Sequence, residues 1–127
     1  KMHYGNQEIS SGLDNFWLNG SMKISAVEQV LLLQKLYHNQ WGFNEKAIDG
    51  VKEIMLVEAT KNYRLFAKTG AGKVDDGTML GWYIGFIENS TGVHFFAFNF
   101  NSPSYGEMKA NRVKIAKNHL RQAGIIP

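Results

Sequence analysis

The chain has 127 residues, 44% of them hydrophobic and 20% charged, with a formal net charge of +3. That length and apolar share suit a single unit, residues 1–127, able to bury a core without metals or staples. With no cysteine, disulfides and thiolate metal sites are excluded, and no apolar run approaches the ~20 residues of a membrane-crossing helix.

The opening Lys1-Met2-His3 reads as internal rather than as the charged and then apolar start of a signal segment. The first clear element follows Ile24. Ser25 and Glu28 have capping-box spacing, and Val27, Val30, Leu31, Leu33 and Leu36 carry an apolar helix to about Asn39. From Glu45 to Ala59, the recurrence of Ala47, Ile48, Val51, Ile54, Met55 and Val57 predicts a second helix, with Gly50 inside it costing ~1 kcal/mol relative to alanine.

After Lys61 the pattern alternates, with Tyr63, Leu65 and Ala67 on one face and Arg64, Phe66 and Lys68 on the other, predicting a strand that ends at Thr69-Gly70. Leu80–Ile87, the turn residues Asn89-Ser90-Thr91-Gly92, and Val93–Phe98 predict a β-hairpin. Met108 to Ala123 returns to helical spacing, with Gly124 placed just past its end. Lys109, Arg112, Lys114, Lys117 and Arg121 on this helix read as a solvated face. No zinc finger, recognition helix or RNA-binding aromatic signature accompanies them, so no nucleic-acid partner is expected.

The order of helices, strands and helix gives an α+β fold, an antiparallel β-sheet of at least three strands packed with helices. Both faces of the hairpin are rich in large apolar groups and need cover. One terminal helix cannot supply it, so the first two helices, or a part of the molecule outside this chain, must pack there as well. The same exposed faces predict dimerisation or swapping.

Lys68-Thr69-Gly70 gives each residue a physical task at a strand end: a fixed positive charge, a hydroxyl for a substrate carboxylate, and a backbone without a Cβ to obstruct a ligand. The strand edge itself can pair with an extended amide. Gly70-Ala71-Gly72-Lys73 is not a phosphate loop, because Ala67 and Val74 stand where glycine and serine or threonine are required. His3, His38, His94 and His119 form no helical pair, so no metal site is expected.

Tyr4-Gly5-Asn6-Gln7 is followed by Ile9-Ser10, Gly12, Asp14, Phe16-Trp17-Leu18, Gly20, Lys23-Ile24-Ser25 and Glu28-Gln29-Val30. Lys68-Thr69-Gly70, Gly81-Trp82, Gly85, Phe95-Phe96-Ala97-Phe98-Asn99 and Gly124-Ile125-Ile126 come after them in order. This succession covers almost the whole chain and resembles the carboxy-terminal half of the class D serine β-lactamases. The related β-lactam sensor domains of membrane receptors share the motifs.

The resemblance implies half of a serine β-lactamase or penicillin-binding transpeptidase-like fold, in a periplasmic or secreted bacterial protein. In that family a serine attacks the lactam carbonyl, and a lysine carrying carbon dioxide as a carbamate is the base. It implies that Trp17 donates its indole N–H to the carbamate and that Leu18 is an apolar neighbour over the same pocket. Lys68, Thr69 and Gly70 become the polar wall beside the substrate carboxylate, Ala71 an oxyanion-hole N–H donor, and Arg112, twelve residues before Gly124, a carboxylate-binding arginine. Tyr4, Gly5 and Asn6 are motif residues with a structural part.

The nucleophile motif Ser-x-x-Lys is missing. After Ser10, Ser11, Ser21, Ser25, Ser90, Ser102 and Ser104, the third residue is Leu13, Asp14, Ile24, Glu28, Val93, Tyr105 or Glu107. The expectation is therefore a β-lactam hydrolase in part, inactive alone, with no cofactor beyond the carbamate implied in the other half. Its partners are a β-lactam and either the missing amino-terminal half or a second copy. The alternatives are a β-lactam-binding sensor and a non-catalytic orphan fragment.

Overall fold

The computed structural model describes residues 2–18 and 20–127. Three helices and four strands follow in the order α1 (Ala26–Tyr37), α2 (Glu45–Met55), β1 (Leu56–Ala59), β2 (Tyr63–Lys73), β3 (Met79–Asn89), β4 (Gly92–Ser102) and α3 (Tyr105–Gln122). The strands form one antiparallel sheet in sequence order, with α1 and α2 on one face and α3 on the other. This is the expected α+β layout, an antiparallel sheet of at least three strands packed with helices, its fourth strand being β1.

Each helix start is set locally. Ser25 caps α1, accepting from the Glu28 N–H while the Glu28 carboxylate accepts from the Ser25 N–H. Asn44 caps α2, and Ser104 caps α3. Gly124, at φ +70°, follows the Ala123 C-cap in the left-handed conformation that a Cβ would penalise.

β4 runs four residues past the expected Phe98 and α3 begins three residues before the expected Met108, and two further boundaries differ closer to the cleft. The second helix stops at Met55, and Leu56–Ala59 is a strand whose Leu56, Glu58 and Ala59 pair with Phe66, Leu65 and Arg64. The apolar recurrence through Val57 fits a helix, but pairing with β2 wins, and Val57 is left 55% exposed. The strand expected to end at Thr69-Gly70 runs on to Lys73, because Ala71, Gly72 and Lys73 pair with Gly81, Leu80 and Met79. Lys68-Thr69-Gly70 thus lies inside β2.

Alternation along β2 splits the core in two. Leu65, Ala67, Tyr83 and Ile87 face α3, where they meet Ala116, Leu120 and Ile126. Phe66 and Phe86 face the other way, against Leu33 of α1 and Met55 of α2. The Phe66 and Phe86 rings stack at 4.6 Å, and Tyr37 meets Phe86 edge-on at 5.0 Å. Leu65 and Ile87 are fully buried, so cutting either to alanine costs about 2–5 kcal/mol.

The helices on the first face cover the sheet incompletely. Only Gln29 and Leu33 of α1 are buried, whereas Val27 and Leu31 are 70% and 50% exposed. The helix is apolar on more than the side it buries here.

Candidate active site

The segment from Tyr4 to Ile24 is a loop closed at its neck. Asn6 donates its backbone N–H to the Lys23 carbonyl at 2.9 Å and its side-chain amide to the Ser21 carbonyl at 2.8 Å, while its Oδ1 accepts from the Lys23 N–H at 2.9 Å. Ser21 Oγ adds a bond to the Glu8 carbonyl. Gly5, at φ +48°, lies so close to Lys23 that a Cβ there would come 2.0 Å from the Lys23 carbonyl oxygen. The Tyr4 hydroxyl donates to Oε1 of the buried Gln29 at 3.0 Å, tying the neck to α1, and burial pushes that phenol above its ordinary value. Tyr4, Gly5 and Asn6 accordingly fix where the loop stands.

The loop carries Trp17 and Leu18 to the side of β2. Trp17 packs edge-on against Phe16 at 4.7 Å yet remains 57% exposed, and Leu18 is 48% exposed. A cleft of about 730 Å³ opens between loop and sheet. One wall holds Trp17, Leu18, Met22, Lys23 and Ile24, the other Lys68 to Lys73, and Leu80, Trp82 and Ile84 of β3 also line it. Lys23, Lys68 and Lys73 face a single carboxylate, Asp75, among the lining side chains. That excess of positive charge favours an anionic occupant.

β1 pairs with β2 only as far as Phe66, so the β2 edge away from β3 has no strand partner over Lys68–Lys73 among the described residues. Backbone groups along it are available to an extended ligand. Lys68 is exposed and donates to the Thr69 carbonyl at 3.2 Å. Thr69, Gly70 and Ala71 are half-buried beside it.

The glycine of the triplet has a second neighbour to accommodate. Gly70 pairs with Trp82, and a Cβ on Gly70 would come 3.3 Å from the Trp82 Cβ. Its openness therefore serves the indole on β3 as well as any ligand.

Arg112 is not in the cleft wall. It rises from α3 on the other face of the sheet, and its Nη1 donates to the Gly70 carbonyl at 2.9 Å and approaches Met108 Sδ at 3.6 Å. Its Nε is buried with no hydrogen-bond partner among the described residues. Trp17, Leu18, Lys68, Thr69, Gly70 and Ala71 thus meet around one cleft, and Arg112 reaches the same strand from behind.

Sequence reasoning missed Lys23, Gln29, Trp82 and Gly72. Lys23, Gln29 and Trp82 stand in the motif succession, which assigns them no place in the site, and Trp82 faces Gly70 only once the β2–β3 register is known.

Residues 1–121 match the transpeptidase family, described as the penicillin-binding protein transpeptidase domain. The chain is 41% identical over 125 residues to the β-lactamase OXA-48 of Klebsiella pneumoniae, covering 98% of this chain and 46% of that protein. It superposes on the class D β-lactamase of Sebaldella termitidis with a TM-score of 0.89 at 35% identity, over 99% of this chain and 52% of that one. The carboxy-terminal domain of the Bacillus licheniformis BlaR penicillin receptor gives a TM-score of 0.90 at 32% identity, over 99% and 50%. The chain thus spans about half the length of the curated relatives it matches. It belongs to the penicillin-binding protein transpeptidase family, within which it corresponds to the carboxy-terminal half of the class D β-lactamases.

Proposed function

We propose that this chain supplies one side of a β-lactam site in a class D β-lactamase whose serine nucleophile and base lysine lie on other residues. The observation that carries this reading is the convergence of Trp17, Leu18 and Lys68 to Ala71 on one cationic cleft beside an open strand edge. A β-lactam carries a carboxylate and an amide-like ring. Lys68 and Thr69 provide charge and a hydroxyl for the first, and the β2 edge provides backbone groups for the second. The Ala71 N–H is offered to the oxyanion, and the second donor comes with the nucleophile.

Trp17 fits the support of a carbamate on the base lysine, because its indole is exposed at the cleft and has an N–H to give. A carbamate supplies the proton acceptor for acylation and deacylation. Removing the indole donor, as in Trp17→Phe, therefore lowers turnover more than drug binding. Arg112 fixes the Gly70 carbonyl from behind the strand, and in this reading its guanidinium also suits the substrate carboxylate. Periplasmic or secreted residence follows from where β-lactams are met.

A β-lactam sensor is the second reading, favoured by the superposition on the BlaR receptor domain. The two differ in the fate of the acyl group. The test is intact mass after mixing benzylpenicillin with this chain, alone and together with the amino-terminal half of OXA-48. Alone, the chain should keep its own mass. In the mixture the other polypeptide should gain the drug, lose it again if the assembly is a hydrolase, and hold it if it is a sensor. An assembled pair in which neither polypeptide gains the drug rules out both.

A further inference from the structure

β2 lays out the proposed site in a fixed order. From Lys68 onwards the strand presents Lys68 and Thr69 for the substrate carboxylate, then the Ala71 N–H for the oxyanion, then Gly72 and Lys73. A penicillin bound in that order has its ring carboxylate at the Lys68 end and its reacting carbonyl at Ala71. Its acylamino side chain is joined to the ring beside that carbonyl, so it leaves along the open strand edge towards Gly72 and Lys73. The two lysines stand five residues apart, about 17 Å along the strand. Alternation sends them off opposite faces of β2, and both line the cleft because it follows the strand edge, where a ligand is flanked from either face.

The charges at the far end are unequal. The ion pairs among the described residues are Arg64–Glu88 and Lys117–Glu58, which leaves Lys73 without such a partner. The ladder fixes its position, since Lys73 pairs with Met79 at the start of β3. Two carboxylates follow it in the turn between the strands. Asp76 is taken up there, accepting from the Thr78 N–H at 2.8 Å and from the Thr78 hydroxyl at 2.6 Å. Asp75 lines the cleft beyond the strand end, and the loop wall opposite adds a further cation, Lys23. A β-lactam with a single carboxylate, held at Lys68, leaves Lys73 unused.

We propose that Lys73 is a second anion-binding residue of the site, and that the cleft favours β-lactams with an acidic group on the side-chain carbon beside the amide over those whose side chain is neutral. The direction of the substrate along β2 rests on the reading above. Lys73 lies past the reacting carbonyl, so its charge bears on which drug is held and not on the bond that breaks. Asp75, a carboxylate at the same end, opposes it.

The test is a nuclear magnetic resonance titration of the full chain, alone and with the amino-terminal half of OXA-48, using benzylpenicillin and carbenicillin. These drugs differ by one carboxylate on that side-chain carbon. Carbenicillin should saturate the amide shifts of Gly72 and Lys73 at ~3- to 5-fold lower concentration, the scale of one exposed ion pair. Salt at ~0.5 M should erase the difference. Lys73→Gln should remove the preference and Asp75→Asn should enlarge it. Lys109→Gln deletes a charge of α3 outside the cleft lining and should leave it intact, with the amide spectra showing all three variants folded. Equal saturation by the two drugs, a preference that survives Lys73→Gln, or Gly72 and Lys73 amides unmoved in both samples overturns the proposal. Intact mass of the mixture separates this from the catalytic reading. A preference for carbenicillin with no acylation by either drug keeps the anion subsite and sinks the acylation, while acylation without any preference does the reverse.

Discussion

The Leu18 carbonyl rests against Gly72 so closely that a Cβ on Gly72 would come 2.6 Å from its oxygen. Gly72 sits on the open edge of β2, and Leu18 follows Trp17 in the loop, so this contact sets the width of the cleft. Backbone, not a flexible side chain, is the obstacle. Gly72→Ala should therefore push the loop outward and cost about 1–3 kcal/mol in chemical denaturation. Displacement of Trp17 should change its fluorescence in the same variant, and unchanged emission with unchanged stability would show that the loop does not bear on β2.

The loop neck depends on Asn6. Its side chain donates to the Ser21 carbonyl and accepts from the Lys23 N–H, and both partners lie at the return of the loop. Asn6 is exposed, so water replaces part of what is lost, and Asn6→Ala should cost about 1–2 kcal/mol. The stronger expectation concerns local opening. Amides in the loop should exchange faster while those of β3 keep their protection, and a uniform acceleration across both would mean that the neck supports the whole fold rather than the loop.

Much of the layout was legible because it is local. The Ser25 and Glu28 box, the Asn89 to Gly92 turn and Gly124 past α3 each depend on a few neighbouring residues. The conversion of Leu56–Ala59 to a strand was not, because Val57 satisfies helical spacing and only pairing with Leu65 and Arg64 decides otherwise. In the site, Trp17, Leu18, Lys68, Thr69 and Ala71 could be named from the order of motifs. Gln29 and Trp82 stand in the same succession but their places in the cleft were not legible, since these follow from a side-chain bond to Tyr4 and from the register opposite Gly70.

Arg112 links α3 to the cleft strand through the Gly70 carbonyl. A lysine keeps the charge but not the planar fork, and its shorter set of donors cannot hold the carbonyl and lie along Met108 in the same way. Arg112→Lys should lower stability by about 1 kcal/mol. It should also speed exchange in β2 beyond Ala67 more than in Leu65 and Phe66, which are held by β1 as well. Equal protection along β2 in the variant would remove the positioning role.

Glu58 on β1 joins three elements: its carboxylate takes a proton donor from Lys117 of α3 and another from the Tyr63 hydroxyl on β2. The bond from Lys117, then that from Tyr63, holds Glu58 below the ordinary glutamate value of 4.5, and the same Glu58 contact raises the Tyr63 phenol above 10.0. A carboxylate with a lowered folded value contributes stability above its unfolded value and loses it as pH falls through the folded one. A phenol with a raised value contributes below its unfolded value and loses it as pH climbs through the folded one. Stability from this cluster is thus present between those limits and falls away on both sides. Glu58→Gln should flatten the acid limb below about pH 4.5, the ordinary value, and cost about 1 kcal/mol or less at neutral pH, because the pair is partly open to solvent. The measurement is the denaturation midpoint across pH for the protein and the variant, and acid limbs of equal slope would show that Glu58 does not anchor β1 to α3.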